Sequence, residues 1–146
     1  MKLRIRVLSA VCAAGMLAAQ VPPIVLTPVA IGSNPDPDLK IKAKGPTTIE
    51  QDKITIQPGG DTGWHTHPGP ALVVVTRGAV TLYKSEECRT VYSTGSFFME
   101  PENQVHKLVN ETGDESEIYG TLILPAGSPE LVPATSPGRE PCHSEK

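Results

Sequence analysis

Residues 59–78 read GGDTGWHTHPGPALVVVTRG. His65 and His67 flank Thr66 in a short run with strand character. Side chains two apart on a strand leave from the same face, so the two imidazoles project together and suit two neighbouring positions on one metal ion. Trp64, the only tryptophan, should point to the opposite face and serve packing. The run Ala71–Val75 that follows is apolar at every position. An antiparallel strand with one wet face alternates apolar and polar residues, so this one predicts cover on both faces, by a second sheet or by another subunit.

The same texture extends on both sides. Short β-branched runs predict strands at about 41–44, 47–56, 63–67, 71–77, 79–83, 90–92, 96–99, 104–110 and 117–124. They are separated by turn residues such as Pro58-Gly59-Gly60, Pro68-Gly69-Pro70, Thr94-Gly95 and Pro101-Glu102-Asn103. No helical period interrupts them. The fold expected is an all-β sandwich or barrel over 41–124. The chain has 146 residues, with 15 Pro and 13 Gly spread along it, which fits one domain. Net charge is -3 and no basic run is long enough to track a phosphate backbone, which argues against nucleic acid as a partner.

The flanks differ in character. Lys2, Arg4 and Arg6 precede an uncharged apolar stretch from Val7 to Ala19. That stretch is shorter than the ~20 residues of a spanning helix. It reads as a signal peptide over 1–19, with an uncut membrane anchor as the alternative, and predicts an extracytoplasmic protein, secreted or in the cell envelope, with no stable membrane span after cleavage. Its removal takes away three positive and no negative charges, moving the net charge from -3 to -6. Cys12 would leave with it. Residues 20–40 hold five prolines and read as a linker or irregular arm. Residues 125–146, with prolines at 125, 129, 133, 137 and 141, read as a low-structure tail that cannot turn helical. Cys88, in a polar connection expected at the surface, and Cys142, in the tail, remain as an even pair. In an oxidising compartment they are candidates for a disulfide that pins the tail back.

Of the four histidines, His106 joins His65 and His67 on a predicted strand, while His143 lies in the tail where nothing orients it. Imidazole is the commonest transition-metal ligand near neutral pH, so His65, His67 and His106 form the candidate metal set. The spacing around them resembles the cupin superfamily. Gly59, five residues, His65-Thr66-His67 and then Gly78 are similar to its first motif. Gly95, five residues, Pro101, then His106 and Asn110 are similar to its second.

The resemblance implies a jelly-roll type β-barrel, and suggests a homodimer. It also implies one divalent transition metal (Zn, Cu, Ni, Fe or Mn) held by two histidines and a glutamate of the first motif and a histidine of the second. The three histidines match, but the glutamate does not: its place falls on Ala71 or Leu72. Three neutral imidazoles alone should favour Zn, Cu or Ni over the harder Mn(II). Glu100, Glu102 or a ligand carboxylate could restore the negative charge. Where the second motif usually has Gly, this chain has Asn103, the non-glycine residue that best tolerates a positive φ.

Fold does not name a reaction. Three readings stay open: a metal-dependent enzyme on a small molecule (isomerase, dioxygenase or hydrolase), a non-catalytic module binding a metal or small ligand, and a structural barrel with a vestigial site. The expected interior, Ala71, Val73, Val75 and Leu108, offers few acid–base groups; the candidates are Glu100, Tyr83, Tyr92 and Tyr119.

Overall fold

The computed structural model describes residues 27–33 and 39–142, among which there is no helix. The proposed signal segment and His143 lie outside the described residues. No helix among the described residues is long and apolar enough to cross a membrane.

Nine strands form: β1 Thr47–Ile56, β2 His65–Thr66, β3 Ala71–Arg77, β4 Ala79–Tyr83, β5 Arg89–Ser93, β6 Phe97–Glu100, β7 Lys107–Val109, β8 Ser116–Pro125 and β9 Val132–Pro133. One antiparallel sheet runs β1-β8-β3-β6 and a second runs β5-β4-β7; β2 pairs with β9. The inward residues of both larger sheets meet in a core of Ile56, Val73, Val75, Val80, Leu82, Phe98, Leu108 and Ile118. Tyr92 stacks on Phe98 beside it, with ring centroids 4.3 Å apart.

The strands expected at 47–56, 71–77 and 79–83 form with those bounds. The one expected at 41–44 does not. There Lys40, Lys42 and Lys44 alternate with Ile41 and Ala43; the one apolar face this offers is only two residues long, both stay exposed, and the segment pairs with no strand. The strand expected at 104–110 shrinks to three residues, although His106 still exchanges both main-chain hydrogen bonds with His65, at 2.9 and 3.0 Å.

Cover on β3 also differs from expectation. Ala71, Val73 and Val75 are buried, but Leu72 and Val74 on the other face are only half-buried. The chain covers one face of this strand and leaves the second partly open.

Two motif positions matter for their backbone. Gly78 (φ 71°) turns β3 into β4 so close to β8 that a Cβ would stand 2.7 Å from Ser116 Oγ. Asn103 has φ 59°, as its place in the second motif led us to expect. Asn110, fully buried, closes the second motif. Its Nδ2 donates to the Ile56 and Asp114 carbonyls, each at 2.8 Å, and its Oδ1 accepts from Thr112 N and Oγ1. This amide stitches the end of β1 to the turn before β8, a structural task that motif spacing alone does not reveal.

The tail departs furthest from its reading as low structure. It is not helical, but it crosses the barrel mouth, pairs as β9 with the histidine-bearing β2, and sends Ala134 N to the Trp64 carbonyl at 2.9 Å. Further on, Gly138 O accepts from Glu86 N at 2.9 Å, Ser136 Oγ donates to Glu86 at 3.1 Å, and Ser85 Oγ donates to the Glu140 carbonyl. Cys142 then meets Cys88, with Sγ atoms 2.06 Å and Cα atoms 4.7 Å apart. Cys88 is therefore buried rather than at the surface, because the tail lies over it.

Candidate metal centre

His65, His67 and His106 converge, with ring centroids 4.4 to 5.2 Å apart and ligand atoms within 4.8 Å of one another. All three are buried. β2 carries His65 and aims it inward, His67 follows on the same face, and the His65–His106 main-chain pair locks the third ring beside them.

The orientation of each ring is set by a carbonyl. Nδ1 of His65 donates to Gly63 O at 2.9 Å, Nδ1 of His67 to Glu130 O at 2.7 Å, and Nδ1 of His106 to Gln104 O at 2.9 Å. A carbonyl oxygen can only accept, so each Nδ1 must carry the hydrogen. In its neutral form each ring then presents the bare lone pair of Nε2. A carbonyl on Nδ1 fixes both the tautomer and the orientation of each ring, which prepares Nε2 for a metal.

The fourth group is Glu100. Its Oε2 lies 3.4 Å from His67 Nε2 and its Oε1 lies 3.4 Å from His106 Nε2. Burial alone would push this carboxyl up, but the neighbouring His106 and His67 outweigh it and hold it well below the ordinary carboxylate range. Burial likewise pushes His67 down, and Glu100 together with the Glu130 carbonyl reverses this, so its pKa is raised. His65, farther from the carboxylate, is lowered by burial and by the charges of its histidine neighbours. The site thus gathers lone pairs without matching hydrogens: Glu100 Oε1 and His106 Nε2 are buried with no hydrogen-bond partner. Such a donor set fits a cation, and these residues could hold a metal ion.

The place of Glu100 corrects the expectation of a site without a carboxylate. Glu102, the other acidic residue considered, is exposed and lies in a separate groove with Lys40, Lys42 and Lys44. The tyrosines do not reach the histidines. Tyr83 hydroxyl bonds to Glu111, Tyr92 packs on Phe98, and Tyr119 lies on the outer face of β8, opposite Val74. Trp64 stays outside the cavity, as expected, near Lys107 Nζ, which sits 5.3 Å from its ring centroid.

In front of the histidines lies a cavity of about 240 Å³ lined by Ile54, Val73, Leu108, Ile118, Leu122 and Leu131 beside the polar groups. Ala71, where the superfamily motif leads one to look for glutamate, contributes only a methyl group to its wall. Glu130 and Leu131, from the tail, close its edge. Glu130 stands with Glu50 and Asp52 in an acidic trio whose oxygens lie within 4.8 Å of one another. Burial first, and then the charges of Asp52 and Glu50, raise the Glu130 pKa.

A family model described as a cupin domain matches residues 53–122. Among solved structures, the chain is similar to a conserved protein with a double-stranded β-helix domain from Klebsiella pneumoniae. That match has 17% identity and a TM-score of 0.52, covering 66% of this chain and 91% of that one. A cupin-like protein from Thermotoga maritima matches at 23% identity and a TM-score of 0.52, covering 60% and 65%. A polyketide cyclase from Streptomyces resistomycificus matches at 15% identity and a TM-score of 0.51, covering 62% and 64%. At these identities the likeness is one of fold. No curated protein matches the sequence.

Proposed function

We propose, for a chain that belongs to the cupin superfamily, that His65, His67 and His106 bind one divalent transition metal beside a chamber for a small apolar molecule. The observation that carries this reading is the triple anchoring of Nδ1 on main-chain carbonyls, which leaves three buried Nε2 atoms bare and convergent.

The chamber supports the ligand class. Its wall is mostly aliphatic and includes no lysine, arginine or tyrosine. It is smaller than the ~300–1,000 Å³ of sites for drug-sized ligands. Glu130 at its edge, with Glu50 and Asp52 next to Glu130, disfavours anions, so the ligand is an uncharged or cationic molecule with one group that meets the metal. An ion held there would supply Lewis acidity or an acidified bound water. The chain's own residues supply the apolar grip, the fixed ring orientations and the exclusion of bulk water. The presence of a cavity weighs against a purely structural barrel; both an enzyme and a binding module remain compatible with its walls.

Elemental analysis of the purified mature protein should find about one equivalent of Zn, Cu, Ni, Fe or Mn. If reconstitution with each of these ions leaves less than about 0.1 equivalent after dialysis, the reading fails.

The proposal extends to setting and assembly. Cys88 and Cys142 at disulfide distance are compatible with an oxidising, extracytoplasmic site, to which the segment 1–19 would direct the chain. Homodimerisation has a natural surface. Leu72 and Val74 of β3, Phe97 and Met99 of β6, Ile123 of β8 and exposed Ile49 of β1 share the outer face of one sheet through their cross-strand pairs. Sedimentation of the mature protein should give a dimer at micromolar concentration; a monomer there sinks this part.

A further inference from the structure

We propose that Glu100 is the anionic ligand of this centre, supplied by β6 to fill, from across the sheet, the role that the superfamily's first motif gives to the position of Ala71. Glu100 can do this only if the three histidines hold an ion, as proposed above. The placement follows from register. β3 and β6 pair antiparallel with Ala71 directly opposite Glu100 and Val73 opposite Phe98. Directly opposed residues in such a pair present side chains on the same face with Cβ atoms ~4.5–5.5 Å apart. A carboxylate at 100 and one at 71 therefore enter the same part of the barrel from neighbouring strands. The alanine leaves the room that the longer side chain at 100 takes up.

Three further observations point the same way. Glu100 is 4% exposed and His106 is 1% exposed, so neither can satisfy itself with bulk water. Among the described residues no lysine or arginine pairs with the carboxylate; its nearest polar neighbours are the imidazoles of His67 and His106, each already bound through Nδ1 to a carbonyl. Both of its oxygens lie 3.4 Å from an Nε2, and the Oε1–His106 contact forms no hydrogen bond in either direction. An ionised oxygen facing an imidazole lone pair without a hydrogen between them is repulsive. A cation shared by the carboxylate and the three Nε2 atoms removes that repulsion at once. The resulting centre, three neutral nitrogens and one carboxylate, keeps a single net positive charge on a divalent ion. It accepts harder ions such as Mn(II) better than three imidazoles alone.

The test is metal selectivity in the full mature chain. Apo protein is titrated with Mn(II) and with Zn(II) against a competing chelator, and the cobalt(II) form is followed by its visible absorption. For Glu100→Gln, which keeps the shape and loses the charge, we expect Mn(II) affinity to fall at least about 100-fold, more than the loss of a second-shell partner. Zn(II) affinity should fall less, and the cobalt(II) bands should shift. The double variant Ala71→Glu/Glu100→Ala, with the carboxylate moved back across the strand pair, should recover Mn(II) binding to within about tenfold of the native chain. Native Mn(II) affinity with unchanged cobalt(II) bands in Glu100→Gln overturns the assignment and leaves Glu100 as a partner of the rings alone. So does failure of the folded double variant to recover binding. If the native chain takes up none of the three ions, the metal reading itself has failed, which is a separate outcome.

Discussion

His106→Ala will leave the barrel folded and abolish tight metal binding. His106 is tied into the structure by its main chain, which exchanges two hydrogen bonds with His65 that the substitution keeps. Its side chain gives up one hydrogen bond, from Nδ1 to Gln104 O, while its Nε2 is buried with no partner. The loss of packing is offset in part by the removal of that unsatisfied atom. For a bound ion the consequence is larger: one of three nitrogen donors disappears, and no other histidine is present among the described residues to replace it. The expected loss of affinity exceeds about 100-fold, the upper range for a second-shell change. Retention of stoichiometric metal after dialysis by His106→Ala, with a native circular dichroism spectrum, would falsify the three-histidine assignment.

What was legible beforehand was the local chemistry. The spacing around His65, His67 and His106 located all three rings, because motif residues two apart or just after a turn carry their direction with them. The turn at Asn103 and the pairing of Cys88 with Cys142 could also be read, the first from backbone tolerance and the second from the count of cysteines. Glu100 is legible as a candidate carboxylate, but not the direction of its side chain, which depends on strand register. Glu100 precedes Pro101, and its direction is undefined until β6 is laid against β3 and the pair Ala71–Glu100 is seen. The hint was present in Phe97-Phe98-Met99-Glu100, where Phe98 and Glu100 share a face, but which face is inside cannot be read from four residues. Restoring a glutamate at position 71 in an otherwise native chain would set two carboxylates against each other, so it would not by itself raise Mn(II) affinity.

The tail was misread for a similar reason. Its prolines exclude a helix, and that much holds, but an extended chain that cannot form a helix can still lie along an edge. Pro133 has no N–H to give, and it sits in a two-residue strand where the loss is tolerated. Once there, the tail gives the site its own groups. Glu130 O orients His67, and Leu131 completes the chamber wall. The tail is thus fixed to the barrel by β8 at one end and reaches Cys88 at the other, with Glu130 and Leu131 in its first half at the edge of the histidine chamber.

Cys142→Ser should therefore act at two places. Cys88 and Cys142 are 54 positions apart, and a bond between them closes a loop that includes both β6 and β8. Loop-closure entropy puts the stabilisation near a ceiling of about 4 kcal/mol, and we expect a loss of about 2–4 kcal/mol in chemical denaturation. The second effect is local. Of the remaining hydrogen bonds of the tail end, Gly138 to Glu86 and Ser136 to Glu86 involve an exposed Glu86 and compete with water, which leaves Ser85 Oγ to the Glu140 carbonyl as the part-buried one. Without the covalent anchor, the tail should detach far more often than the barrel unfolds. Amide exchange should then accelerate at Ala134, whose N–H bonds the Trp64 carbonyl, while that of the β3–β8 ladder changes only as global stability does. Metal should leave faster, by up to about tenfold, because the carbonyl that orients His67 travels with the tail. Two controls keep the interpretation sharp. Mass spectrometry of the native mature protein must show the loss of two hydrogens, and reduction of that protein must reproduce the exchange pattern of Cys142→Ser. Two alkylatable thiols in protein taken from the cell envelope would remove the bond from the account. A variant that matches the native chain in stability, amide exchange and metal release would show that the hydrogen bonds of the tail suffice to hold His67 in place.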